Sequence, residues 1–188
     1  MCGRYALFTE EENAELRSII EEVQRMQPGA IKTGEIFPTN AAPILLQQND
    51  AIVPQAVKWG FPGFRGKDVI INARSETVEE KNMFRKSLYT RRCAVPTTGF
   101  YEWDSRKTKY LFVLPETPVV YLAGLYNLFE GEPRFLILTT AANRSVSPYH
   151  HRMPVILYRE TLQEWIFQLD SAIEMMHGEQ PELTAVLD

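Results

Sequence analysis

From residue 43 onward the chain is written in short β-rich runs, each stopped within a few residues by Gly, Pro or a polar turn. The runs are Ile44-Leu46, Ala51-Trp59, Val69-Asn72, Cys93-Val95, Phe100-Trp103, Tyr110-Leu114, Val119-Tyr126 and Phe135-Thr139. Strands this short and numerous predict an antiparallel sheet that curls toward a barrel or sandwich. Ahead of them, Thr9 and Glu12 read as a capping box. Leu16, Ile19, Ile20, Val23 and Met26 then recur at helical spacing until Pro28-Gly29 stops the run. That pattern predicts a helix of about four to five turns packed by one face. A second helical patch covers Thr161-Leu169 and Ser171-His177, with Leu162, Trp165, Ile166 and Leu169 on one face. No internal period or linker divides the chain. The expectation is an α+β fold: one domain over residues 1–188, with a mostly antiparallel, curled, barrel-like sheet flanked by helices.

Composition narrows the function classes. With 45% hydrophobic and 23% charged residues among 188, the chain can bury a real core, which excludes disorder and coiled coils. No apolar run approaches the roughly 18 residues of a membrane span. The start Met1-Cys2-Gly3-Arg4-Tyr5 has no basic-then-apolar segment, so a soluble, cytoplasmic protein with no membrane partner is expected. Cys2 and Cys93 are too few for a disulfide framework and read as thiols. With no second Cys or His pair at zinc spacing, no metal or other cofactor is expected. A net charge of −4 argues against coating nucleic acid through the overall field, while leaving room for a local basic groove.

The residue types that carry chemistry are few. Trimming Met1 would leave Cys2 with a free α-amine beside its thiol. The amine can form an imine with an aldehyde, and the thiol can then close a five-membered thiazolidine ring. The alternative is that Met-Cys merely starts the chain. Asn72, Glu102 and His150 each interrupt an apolar or aromatic context, where an unpaired polar group is costly. A Glu between Tyr101 and Trp103 can have its pKa raised and act as an acid near neutral pH. His150 titrates near neutrality unaided. The Asn72 amide can orient the terminal amine or hold a substrate oxygen. Taken singly, each also has a purely structural reading: a strand-end Asn, a Glu paired with an Arg, a core His.

Arg4, Arg74 and Arg152 stand two residues after Cys2, Asn72 and His150. In extended chain, residues i and i+2 project to one side, so each guanidinium would share a surface with a reactive group, a pattern suited to phosphate. The competing reading pairs these arginines with some of the 24 acidic side chains. Trp59, Phe61, Pro62 and Phe64 form an aromatic stretch that would either stack on unpaired bases or belong to the core.

Four motifs, Met1-Cys2-Gly3-Arg4, Asn72-Ala73-Arg74 with Glu76-Thr77, Gly99-Phe100-Tyr101-Glu102-Trp103 and His150-x-Arg152-Met153-Pro154, occur in that order over essentially the whole chain. The sequence thereby resembles the SRAP family (SOS response-associated peptidase), also called abasic site processing proteins. The resemblance implies a self-processing, cysteine-type peptidase step that removes Met1. It also implies a reversible thiazolidine crosslink between Cys2 and the aldehyde of an abasic site in single-stranded DNA, formed in the DNA damage response. It implies a catalytic set of Cys2, Asn72, Glu102 and His150, with His150 preferred to His151 because it stands two residues before the Arg. It further implies DNA contacts at Arg4, Asn40, Pro43, Trp59, Arg74, Thr139 and Arg152. The implied partner is single-stranded DNA containing abasic sites, bound by a cytoplasmic monomer that joins the nucleoid during damage. The stretch Trp59-Gly60-Phe61-Pro62-Gly63-Phe64 is shorter than the Trp-containing loop of many relatives.

Two rivals stand beside this reading. A thiol hydrolase acting in trans would use Cys2 as nucleophile, His150 as base and Asn72 or Glu102 as the orienting group. A plain single-stranded-DNA-binding module would use the Arg groove without covalent chemistry and would lose its binding in high salt.

Overall fold

Nearly every strand of this chain has an apolar face to hide, and the topology follows from how those faces are closed. The computed structural model describes residues 2–8, 13–63 and 68–188. In chain order the strands are β1 (Tyr5–Leu7), β2 (Gly34–Ile36), β3 (Ala41–Gln48), β4 (Ala51–Trp59), β5 (Phe61–Pro62), β6 (Val69–Ile70), β7 (Asn72–Arg74), β8 (Arg92–Thr97), β9 (Gly99–Trp103), β10 (Lys109–Val113), β11 (Val120–Phe129), β12 (Glu132–Ala141), β13 (Arg152–Pro154), β14 (Ile156–Leu157) and β15 (Thr184–Leu187). The helices are α1 (Ala14–Met26), α2 (Asn82–Thr90), α3 (Leu162–Phe167) and α4 (Leu169–His177).

Strands β12, β4, β3, β8 and β11 pair in that order, and β11 returns to β12, which closes a small barrel. Closure removes the open edges that such strands would otherwise expose. All these pairings are antiparallel except β4 with β12, where Phe135 lies opposite Trp59. A second sheet, in the order β15-β10-β9-β1-β2, carries the N-terminal strand. The α+β, barrel-like class expected from sequence is the observed one.

Strand β12 changes partners halfway along. Its first half pairs with β4 and β11. Its second half pairs with β7, Thr139 opposite Arg74, and with β13, Ala141 opposite Arg152. The barrel wall therefore splays near Thr139, and the polar residues of β7 and β13 gather at the opening. The junction of β8 with β9 is just as constrained. The Thr97 hydroxyl donates to the Ala6 carbonyl at 2.6 Å and accepts the Gly99 N–H at 3.0 Å. A Cβ on Gly99 would stand 2.5 Å from the Phe112 carbonyl oxygen, so only glycine allows β10 to approach this closely.

Two expectations are corrected and one element is added. Helix α1 spans only thirteen residues, and Met26 at its end is exposed rather than packed; Thr9 and Glu12 lie outside the described residues. The run Val69-Asn72 is two strands, because β6 pairs with β5 while β7 turns away to β12. Helix α2 has no counterpart in the sequence reading, since its buried residues are only Phe84, Ser87 and Leu88, too sparse a stripe to stand out. Among the described residues no helix is long and apolar enough to cross a membrane.

Candidate active site

Residues from both sheets meet at the splayed end of the barrel. Strand β1 runs antiparallel to β9, with Tyr5 opposite Phe100, and the Tyr101 N–H extends the pairing to the Arg4 carbonyl at 2.9 Å. This places the segment that begins at Cys2 alongside Glu102. From the larger sheet, the Asn72 side-chain amide donates to the Cys2 carbonyl oxygen at 2.9 Å. His150, just before β13, brings Nδ1 to 3.9 Å from Glu102 Oε1. Cys2, Asn72, Glu102 and His150 thus share one locus.

Burial sets the proton affinities there. Cys2 is fully buried, and burial pushes its thiol well above the usual cysteine range, with the Glu102 carboxylate adding to the effect. Sγ lies 3.8 Å from the Arg4 carbonyl oxygen. Glu102 is only 3% exposed, and burial raises its pKa above the ordinary carboxylate value. Burial lowers the pKa of His150. A carboxyl moved up and an imidazole moved down are shifted in the directions that suit an acid and a base.

The imidazole is held by its neighbours. His150 Nδ1 lies 3.0 Å from the Arg152 N–H and 3.1 Å from the Arg152 carbonyl oxygen, so it can accept when neutral and donate when protonated. The exposed His151 ring is 4.4 Å away by centroids, and the charge of His150 lowers its pKa. The preceding turn is tied to the C-terminal segment through Asn143. Its amide donates to the carbonyls of Gln180 at 3.1 Å and Pro181 at 2.8 Å, while its oxygen accepts the Ser145 N–H at 3.1 Å. The Tyr149 ring packs edge-on against Tyr110 at 4.6 Å and Phe112 at 5.2 Å. The sequence reading passed over Asn143; its only local signal is the Asn-x-Ser turn.

The three arginines divide. Arg152 is buried; its guanidinium makes a two-pronged pair with Glu76 at 2.5 and 2.8 Å and donates to the Thr139 carbonyl at 2.7 Å. Arg4 pairs with Glu35 at 3.0 Å and lies over the rings of Phe37 and Trp103, 4.1 and 5.0 Å from their centroids. Lys109 bonds the other oxygen of Glu35. Arg74 is exposed and has no ion pair among the described residues.

The other positions that the resemblance places along a DNA groove differ in exposure. Trp59 is fully buried, stacked on Phe135 at 6.2 Å, and its indole N–H donates to the Ile71 carbonyl at 3.0 Å. In this structure its side chain packs in the core. Phe61 is likewise buried, and Phe64 lies outside the described residues. Pro43 and Thr139 are buried within β3 and β12. Asn40 is partly exposed, with Oδ1 accepting the Phe37 N–H at 3.0 Å. Among the described residues no group of three His, Cys, Asp or Glu side chains could hold a metal ion.

Comparison with known proteins agrees over nearly the whole length. The family model for SOS response associated peptidase (SRAP) matches residues 1–185. The chain is 38% identical over 186 residues to the abasic site processing protein YoqW of Bacillus subtilis, covering 88% of this chain and 80% of that one. It is 28% identical over 179 residues to the abasic site processing protein YedK of Escherichia coli, covering 89% and 80%. A crystal structure of a protein from Bacteroides thetaiotaomicron superposes with a TM-score of 0.80 at 22% identity, covering 99% of this chain and 91% of the other. A Bordetella bronchiseptica protein gives 0.76 at 20% identity, covering 100% and 99%. These two likenesses speak to the fold.

Proposed function

This chain belongs to the SOS response associated peptidase (SRAP) family, and from that premise we propose that it processes abasic sites in single-stranded DNA by covalent capture through Cys2. Once Met1 is removed, the Cys2 amine attacks C1′ of the ring-opened sugar, and loss of one water leaves an imine. The thiol sulfur then adds to the imine carbon while the sulfur-bound proton passes to nitrogen, closing the thiazolidine. Removal of Met1 by the protein itself, the peptidase step, belongs to the same reading.

The observation that carries the proposal is the junction at Cys2: an amide donor from Asn72 on its carbonyl at 2.9 Å, with Glu102 and His150 at 3.9 Å from each other beside it. Asn72 fixes the backbone of the nucleophilic residue, so the amine and thiol are presented in one geometry. Glu102, with its raised pKa, is the acid that protonates the departing oxygen during sugar opening and dehydration. Neutral His150 is the base that receives the proton from the thiol, which burial otherwise keeps on sulfur. Running the same transfers backwards reverses the crosslink. Arg74, exposed two residues after Asn72, is the phosphate-binding cation; Arg4 and Arg152, held by Glu35 and Glu76, act by positioning Cys2 and His150.

The test is a denaturing gel of protein mixed with an abasic single-stranded oligonucleotide. A shifted band that Cys2→Ala abolishes supports the proposal. A shifted band that survives Cys2→Ala refutes it.

A further inference from the structure

The chemistry at Cys2 leaves a strongly charged surface of the molecule unused. Helix α2 has Lys81 at its N-cap and Arg85 and Lys86 within it, and none of its nine residues is acidic. Phe84, Ser87 and Leu88 face the core, so spacing by four sets two rows on the outside, Lys81-Arg85-Tyr89 and Asn82-Lys86-Thr90. Lys81, Arg85, Lys86 and Tyr89 are exposed, Tyr89 by 45%. Among the described residues, none of Arg74, Lys81, Arg85 and Lys86 forms an ion pair. Glu76, Glu79 and Glu80 separate Arg74 from Lys81, but from Lys81 through α2 the charges are all positive, a local patch opposite in sign to the net −4 of the chain.

Two surface depressions border this helix. One, of about 580 Å³, runs from Asn72 and Arg74 past Lys81, Met83 and Phe84 to Asn82. The other, of about 630 Å³, lies between the two outer rows, bounded by Arg85, Lys86, Tyr89, Thr90 and again Asn82. Asn82 borders both, so together they mark out a path from Asn72, the residue that holds Cys2, along the outer surface of α2.

We propose that this path is a docking track for the DNA strand flanking the captured nucleotide, extending the interface beyond the reactive centre to Tyr89. Arg74, Lys81, Arg85 and Lys86 meet successive phosphates, and the exposed Tyr89 ring takes a base by stacking. From the N-cap Lys81 to Tyr89 the chain rises about 12 Å, the length over which a stacked strand presents about three to four phosphates, enough for Lys81, Arg85 and Lys86, with Arg74 on β7 before them. The inference rests on the proposed single-stranded DNA substrate.

The test measures equilibrium binding of an undamaged single-stranded oligonucleotide, which cannot be captured covalently, as a function of salt. Neutralising two phosphate contacts in the double variant Arg85→Gln with Lys86→Gln should make the slope of log K against log salt shallower by about 1.4. The exchange Arg85→Lys with Lys86→Arg should keep the wild-type slope, and Tyr89→Ala should weaken binding with the slope unchanged. An unchanged slope and affinity in the double Gln variant overturns the track, as does an equal loss in the charge-preserving exchange. Adduct formation with an abasic oligonucleotide is read separately. A wild-type protein that binds with the full slope yet forms no adduct removes the Cys2 chemistry and leaves the track. Adduct formation with an unaltered slope in the double Gln variant removes the track alone.

Discussion

The side-chain amide of Asn72 donates a hydrogen bond to the carbonyl oxygen of Cys2 at 2.9 Å, tying the segment that leads into β1 to strand β7, 70 positions away in sequence. Leaving that carbonyl without its donor costs about 1–3 kcal/mol of positioning. Asn72→Ala is therefore expected to slow adduct formation by about ten- to a hundredfold, with DNA affinity little changed. Asn72→Asp, which sets an acceptor against an acceptor, is expected to be worse. Single-turnover rates on an abasic oligonucleotide check both.

Glu102 gives a pH signature. Its folded pKa is raised by burial, so between the unfolded carboxylate value and that raised value the folded state binds more protons, and stability falls as pH rises through the window. Glu102→Gln removes this loss and is expected to melt higher than wild type above that window. The same substitution removes the acid, so adduct formation or its reversal slows and the alkaline limb of the pH–rate profile disappears. A lower melting temperature at neutral pH together with an unaltered rate profile would contradict the assignment.

Glu76 behaves in the opposite sense. Its carboxyl is held below the ordinary range, first by the hydrogen bonds from Arg152. Its contribution is present above the unfolded carboxylate pKa and lost as pH falls through the lowered folded one. Because Glu76 is exposed at the surface, the effect on stability is small and screened by salt. The partner is different: Arg152 is buried, and Arg152→Lys forfeits the fork to Glu76 and the Thr139 carbonyl. A loss of about 1–3 kcal/mol is expected, read as a melting temperature several degrees lower.

Gly99→Ala tests the fold beneath the site. Its new Cβ meets the Phe112 carbonyl oxygen at 2.5 Å, a backbone atom that cannot swing aside. The expected cost is about 1–3 kcal/mol or more, seen in chemical denaturation. Since Gly99 leads β9 toward Glu102, adduct formation should fall as well.

What the sequence could and could not reveal divides along physical lines. Sustained apolar runs exposed the long strands, such as β4 and β11, while β1, β13 and helix α2 were missed because their apolar residues are too few to register. Asn72, Glu102 and His150 stood out because polar groups in apolar surroundings need a reason, and Cys2 because removal of Met1 would set a free amine beside its thiol. The partners of Arg4 and Arg152 did not, since Glu35 and Glu76 are ordinary surface-like carboxylates until the sheets bring them within 3.0 and 2.5 Å. Trp59 was ambiguous for a similar reason. Its burial depends on Phe135, opposite it in a parallel pairing formed only when the barrel closes.

The central claim is that Cys2, freed of Met1, condenses with an abasic aldehyde, and denaturing intact-mass spectrometry tests it most directly. The protein is mixed with a single-stranded oligonucleotide carrying one abasic site, without reductant. The expected species has the mass of the chain lacking Met1 plus that of the oligonucleotide, less one water, and is absent from Cys2→Ala. A chain that has lost Met1 yet shows only the unreacted mass, or an adduct of the same mass shift from Cys2→Ala, would contradict it.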